Sequence, residues 1–256
     1  MTMHSLLARI YNTHQLKQFE KLLKSPFEGL NVEVRVVGTI ANRWVQIDVS
    51  GEDEAIATSY LAKEFGFCPA TLDNVRKFET LRGYVVDLGT GATELCLDIG
   101  VFQPAPVYAK IPLECLQAQL VDGKKLGFKK IADLFGLCED LPLNVKITLI
   151  DDAENLVEAE LSIMQVEKFI SWQESLLDRL IVLGVSLQDV KRALDYLVLE
   201  RDIIALEPVG PFEYVLTCKL GTDAAGIVSK IGKSFRSARF AVFNPRKIVQ
   251  FSLLEN

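Results

Sequence analysis

The sequence predicts an α+β, multi-domain protein in which a small β-barrel lies between two ferredoxin-like α/β lobes. Three observations carry this expectation. Residues 5–65 read as strand, helix, strand, strand, helix. Residues 83–150 change to short strands punctuated by Gly and Pro, with helices arriving late, a pattern of small barrels rather than doubly wound sheets. Beyond residue 160, capped helices and strands return in an order like that of the start. The 49% hydrophobic and 24% charged content is ordinary for globular chains and excludes disordered, coiled-coil and collagen-like classes.

The first strand is expected at 5–11. A helix follows over Thr13–Lys24: Leu16, Phe19 and Leu23 share a face, Lys21 and Lys24 suit the C-terminal end, and Pro26 stops it. Residues 31–37 alternate, with Val32, Val34 and Val36 opposite Glu33 and Arg35. In the next strand Val45, Ile47 and Val49 oppose Trp44, Gln46 and Asp48. Ser50 with Asp53 reads as a capping pair for a helix burying Ala57, Tyr60, Leu61 and Phe65. GYVVDLG, TELCLDIG and VYAKIP read as strands, then come helices at 113–120 and near 129–136 and the strand NVKITLI. LVEAELS opens the third region. Helices capped by Ser162/Gln165 and Ser186/Asp189 follow, then strands DIIALE and EYVLTCKL, a helix over 223–234, and a hairpin of FAVF and KIVQFS around Asn244-Pro245. The expected domains are residues 1–79, 80–152 and 153–256.

No apolar run reaches the roughly 20 residues of a membrane span, and the N-terminus lacks the pattern of a secretory signal. Five scattered cysteines without a CxxC read as reduced thiols, so a cytoplasmic protein without membrane partners is expected. Two histidines and no cysteine cluster give no basis for a zinc site, and no metal or cofactor is expected.

Charge is uneven. Residues 151–210 hold five basic and thirteen acidic residues, net −8, while 211–256 hold seven basic and three acidic, net +4. The net charge of −6 excludes a generic basic nucleic-acid coat but leaves room for a local site. Lys219, Lys230, Lys233, Arg236, Arg239, Arg246 and Lys247 form the basic tail, expected to grip the phosphates of a nucleic acid, with Lys230 and Lys233 on one helical face. Lys124 and Lys125, with Lys129 and Lys130, make a second cluster around a Gly-bounded loop. Trp44, outward by alternation, is a candidate for stacking a base or for cover by another domain.

VVDLGTGA at 85–92 looks like a methyltransferase or ATPase glycine loop. Such a loop should open a helix, whereas TELCLDIG reads as a strand, so a hairpin turn explains Gly89 and Gly91 better. GIVSKIGKS ends like a phosphate loop but has five residues between its glycines instead of four, with Ile227, Val228 and Ile231 at helical spacing. No GxSxG or HExxH occurs, so no catalytic residue is nominated.

Gly83, Val85 and Asp87, then Cys96 to Gly100, and AKIPLECL at 109–116, give this segment a likeness to the S-one type of OB-fold RNA-binding domain. That resemblance implies an OB-like barrel whose face near Tyr84 and Tyr108 meets bases. The strings GKKLGFKKIADLFGL, SWQESLLDRL and CKLGTDAAGIVSKIG make the whole chain similar to an archaeal family known only as a domain of unknown function. The family likeness implies an archaeal cytoplasmic protein and no assigned activity. The barrel resemblance with the +4 tail points to a non-enzymatic RNA-binding or ribonucleoprotein-associated protein, with RNA, or a larger ribonucleoprotein or transcription/translation complex, as partner. The alternative is a protein-interaction or assembly factor acting through the acidic helical segment; a methyltransferase-like enzyme using the GTGA turn is a third reading.

Overall fold

The computed structural model describes residues 2–41, 43–88, 93–235 and 237–254, with backbone only for Asp87 and 252–254. The GTGA turn and Arg236 lie outside the described residues.

The N-terminal lobe contains β1 (Thr2–Arg9), α1 (Thr13–Lys24), β2 (Val32–Ile40), β3 (Trp44–Gly51) and α2 (Glu54–Glu64). The antiparallel sheet has the order β1-β3-β2. Past α2 the chain returns beside β1: Leu6 bridges Phe67, and Cys68 N–H donates to Ser5 O (2.8 Å). This stub occupies the place of a fourth ferredoxin-like strand. Asn12 caps α1 by accepting from Gln15 N–H, and Phe19 and Leu23 are buried as the spacing requires. The expected Ser50/Asp53 cap is not formed. Ser50 remains in β3, and the Asp53 carboxylate accepts from Asn31 N–H (2.7 Å) instead. Tyr60, expected inward, is partly exposed.

The central domain is an OB-like barrel. β5 (Thr80–Asp87), β6 (Glu94–Gln103), β7 (Val107–Pro112), β8 (Pro142–Asp151) and β9 (Leu156–Leu161) form a closed ring: β5 pairs β6, β6 pairs β7, β7 pairs β9, β9 pairs β8 and β8 pairs β5. The β7–β9 pairing is parallel and needs a crossover, which α3 (Leu113–Leu120) and α4 (Phe128–Phe135) provide. LVEAEL, read from sequence with the third region, is the strand that closes the barrel. A short β4 (Ala70–Thr71) adds to β6, and α5 (Ile163–Glu174) follows the barrel, capped by Ser162.

The C-terminal lobe has β10 (Arg179–Leu183), α6 (Leu187–Tyr196), β11 (Ile203–Pro208), β12 (Glu213–Cys218), α7 (Ala224–Ile231), β13 (Arg239–Phe243) and α8 (Pro245–Leu254). Its antiparallel order, β11-β12-β10-β13, is the full ferredoxin-like arrangement. KIVQFS is not a hairpin strand. Asn244 accepts from Lys247 N–H (3.2 Å) and Pro245 takes the first helical position, so Asn-Pro starts a helix.

Both lobes use both faces of their sheets. In the N-terminal sheet, Ala8, Val45 and Ile47 pack under α1 and α2, while Leu7 and Trp44 meet Tyr84 of the barrel. In the C-terminal sheet, Leu180, Val182 and Leu216 pack with α6 and α7. The alternate residues Ile181, Leu183 and Phe243 join the barrel core with α4, α5 and α8. Period-two alternation therefore splits each sheet between its own core and a docking surface.

Candidate nucleic-acid interface

Trp44 and Tyr84, nominated for bases, are both fully buried. They lie edge to face at 5.3 Å, and the Arg9 guanidinium sits 4.9 Å from the first ring and 4.8 Å from the second. Each projects outward from its own sheet, and the two outward faces meet. The lobe contact is therefore where their stacking energy is used, about 0.5–1.5 kcal/mol beyond burial. The base-stacking role expected for both is corrected on this ground.

Around them runs a charged junction of all three domains. Arg9 donates to Asp98 (2.6 Å) and to Asp140 (3.0 Å), and Arg43 also pairs with Asp140. From the C-terminal lobe Arg239 reaches Glu139 (2.6 Å) and Asp140 (3.3 Å). Arg239 was expected to grip phosphate; two carboxylates already hold it. Beside this network Tyr11 O–H donates to Glu213 Oε1 (2.6 Å), and Gln15 Nε2 donates to Gly184 O (2.8 Å). Glu213 is fully buried. Loss of hydration raises its carboxyl to about 7, with the Tyr11 and Phe212 hydrogen bonds and the Arg82 and Arg9 charges opposing the rise. Burial also pushes the Cys138 and Cys218 thiols up to about 12, which suppresses nucleophilic thiolate at neutral pH.

The basic tail does not form one surface. α7, carrying Lys230, packs on one face of the C-terminal sheet, and α8, carrying Arg246 and Lys247, lies on the other. α7 ends at Ile231, so Lys233 lies past the helix and does not share a helical face with Lys230. Both lysines are exposed. Lys219 and Arg246 line a small cavity of about 130 Å³ that also contains Asp178 and Asp223, so anions meet repulsion there. Of the tail, Lys247 joins the other cluster. Lys124 and Lys130 Nζ lie 5.9 and 5.8 Å from the Phe251 ring on α8. Lys247 is one helical turn from Phe251, and Lys125, Lys129, Arg246 and Lys247 are exposed. Two clusters about 120 residues apart in sequence thus flank one helix pair, α4 and α8. No local sequence signal joins them, because the link is the α8 helix that was read as a strand.

The barrel surface formed by the second and third strands, the usual ligand face of OB-folds, offers less. Tyr108 is half-buried there, and Lys110 is paired with Glu94 (2.7 Å). The β8–β9 loop is acidic, with Asp152 and Glu154 between Asp151 and Leu156. Among the described residues, no helix is long and apolar enough to cross a membrane.

Comparison with curated proteins gave no match. Among solved structures, the intact alpha subunit of aIF2 from Pyrococcus abyssi is similar at 8% identity and a TM-score of 0.26, over 66% of this chain and 97% of that one. A chain of the a/eIF2alpha-aDim2p-rRNA complex from Pyrococcus horikoshii is similar at 10% identity and a TM-score of 0.26, over 49% of this chain and 60% of that one. An uncharacterised protein from Methanocaldococcus jannaschii is similar at 8% identity and a TM-score of 0.25, over 35% of this chain and 96% of that one. TM-scores this low transfer nothing from those proteins to this chain. The family comparison is of a different order: the DUF2110 N-terminal, central and C-terminal domain models match residues 3–71, 75–173 and 177–243 in turn. Matched in all three parts, the chain belongs to the DUF2110 family.

Proposed function

We propose that this protein is a non-enzymatic RNA-binding component of a ribonucleoprotein or translation-related assembly. One observation carries the reading: Lys124 and Lys130 meet Phe251 of α8, and the exposed Lys125, Lys129 and Lys247 neighbour them on the α4–α8 helix pair, beside an OB-like barrel. Five cations on one exterior band suit a phosphate backbone, which rewards charge without requiring base-edge contacts. The burial of Trp44 and Tyr84 makes the expected binding backbone-dominated and weakly sequence-selective.

Titration of fluorescein-labelled single-stranded RNA, followed by anisotropy at about 50 and 200 mM salt, tests this. Binding should weaken sharply at the higher salt and be lost when Lys124, Lys125, Lys129 and Lys130 are all changed to Glu. Absence of binding at the lower salt, or an unaltered quadruple variant, contradicts it.

A specific observation favours a protein partner as second reading. The outer barrel surface carries Glu94, Glu158 and Glu160 next to the acidic β8–β9 loop, with Lys110 and Lys146 already paired. Partners recovered from lysate despite nuclease treatment, together with no RNA binding, would favour it.

A further inference from the structure

A cleft of about 440 Å³ lies where the three domains meet, and it is separate from the basic band: none of the α4 or α8 cations lines it. Volumes of this order at domain junctions, with apolar walls and a few convergent polar groups, are typical of small-ligand sites. The walls are Tyr60 and Phe65 from the N-terminal lobe, Trp172 from α5 and Tyr214 from β12.

Its polar lining brings Arg82, Asn144, Gln165 and Lys168 together with one carboxylate, the exposed Glu64 of α2. Arg82 and Asn144 are directly opposed across β5 and β8. Gln165 accepts from Asn144 N–H through Oε1 (3.2 Å), which turns the same side chain's amide donors toward other partners. Gln165 is only 6% exposed, yet its Nε2 has no partner among the described residues. The half-buried Arg82 guanidinium likewise makes no hydrogen bond or ion pair among the described residues, although it feels the charge of Glu213. The other cation of the lining, Lys168, is already paired with Glu207 (2.6 Å) and lies over Trp172. Two unengaged donors flanking one strand residue, one of them cationic and with aromatic walls beyond, match an oxyanion joined to a flat apolar body.

We propose that this cleft binds a small anionic amphiphile, a carboxylate, phosphate or sulfonate on an aromatic or similarly flat apolar frame. Arg82 and Gln165 hold the oxyanion, and Tyr60, Phe65 and Trp172 cover the frame. The volume suits a ligand on the order of 15 to 20 non-hydrogen atoms.

The probe is 8-anilinonaphthalene-1-sulfonate, compared with N-phenyl-1-naphthylamine, which has the same rings without the charge. The folded protein should bind the sulfonate at one site. Arg82→Met should weaken the sulfonate by about tenfold or more while leaving the neutral amine within about twofold. Trp172→Ala should weaken both. Arg82→Lys keeps the charge without the planar fork and should fall between wild type and Arg82→Met. Circular dichroism of each variant verifies the fold. Failure of the native protein to bind the sulfonate, or equal loss of both probes in folded Arg82→Met, overturns the proposal.

Discussion

Changing Glu213 to Gln alters how stability depends on pH, and the structure fixes both sign and size. Glu213 is wholly buried at the junction of the lobes, and its carboxyl titrates near 7 instead of the ordinary 4.5. Between those values the unfolded chain has lost this proton while the folded chain still holds it, so stability falls as pH rises from 4.5 towards 7 and levels off above 7. At about 1.4 kcal/mol per pKa unit the full effect is about 3 kcal/mol, of which some 2–3 kcal/mol is lost between pH 5 and pH 8. Gln keeps the acceptor for Tyr11 O–H and does not titrate. Urea unfolding of both proteins at pH 5, 6, 7 and 8 should therefore show the variant gaining on wild type by roughly 2–3 kcal/mol across the range, equivalent to some 5–10 °C in Tm. The difference between the two curves cancels the other carboxylates. Parallel curves, or a variant that falls further behind as pH rises, would refute the assignment of a destabilising buried charge to Glu213.

Other perturbations have equally definite outcomes. Arg9→Met removes a cation that is 2% exposed and leaves Asp98 and Asp140 short of a partner, so it should cost about 3–5 kcal/mol in denaturant unfolding. Adding Asp98→Asn should recover part of that loss; a double variant no more stable than the single one contradicts the pairing. Gly100→Ala should destabilise by about 1–3 kcal/mol, because φ is +82° there and a Cβ would lie 2.8 Å from Cys68 Cβ. A neutral result in thermal melts would count against that close approach.

Local signals are legible where the capping residue and the helix start coincide, which those of the Ser50/Asp53 pair do not. The Ser162 and Ser186 caps hold, since a cap is made within four residues, and Ser186 and Asp189 also bond side chain to side chain (2.6 Å). RLIVL carries no strand periodicity in sequence, because all five residues of β10 are buried and show no alternation. α8 was misread because Asn-Pro serves a turn and a helix start equally well, and KIVQFS mixes β-branched with helical spacing. The outward direction of Trp44 was legible from alternation, but what covers it was not. Tyr84, Arg9 and Asp98 come from distant segments, and only the tertiary fold opposes them. The same holds for the basic residues. Their number was visible, yet the sorting of Arg239 into an ion-pair junction and Lys247 onto the α4–α8 band depends on which sheet face each helix covers.

The salt dependence of RNA affinity tests the role of the α4–α8 band most directly. If most of the five cations contact phosphates, log Kobs for single-stranded RNA should fall against log salt with a slope of about −2 to −3.5. Lys129→Glu combined with Lys247→Glu should make that slope less negative by about 1 to 2. A slope that the double substitution leaves unchanged, or the absence of RNA binding at low salt, would contradict the account.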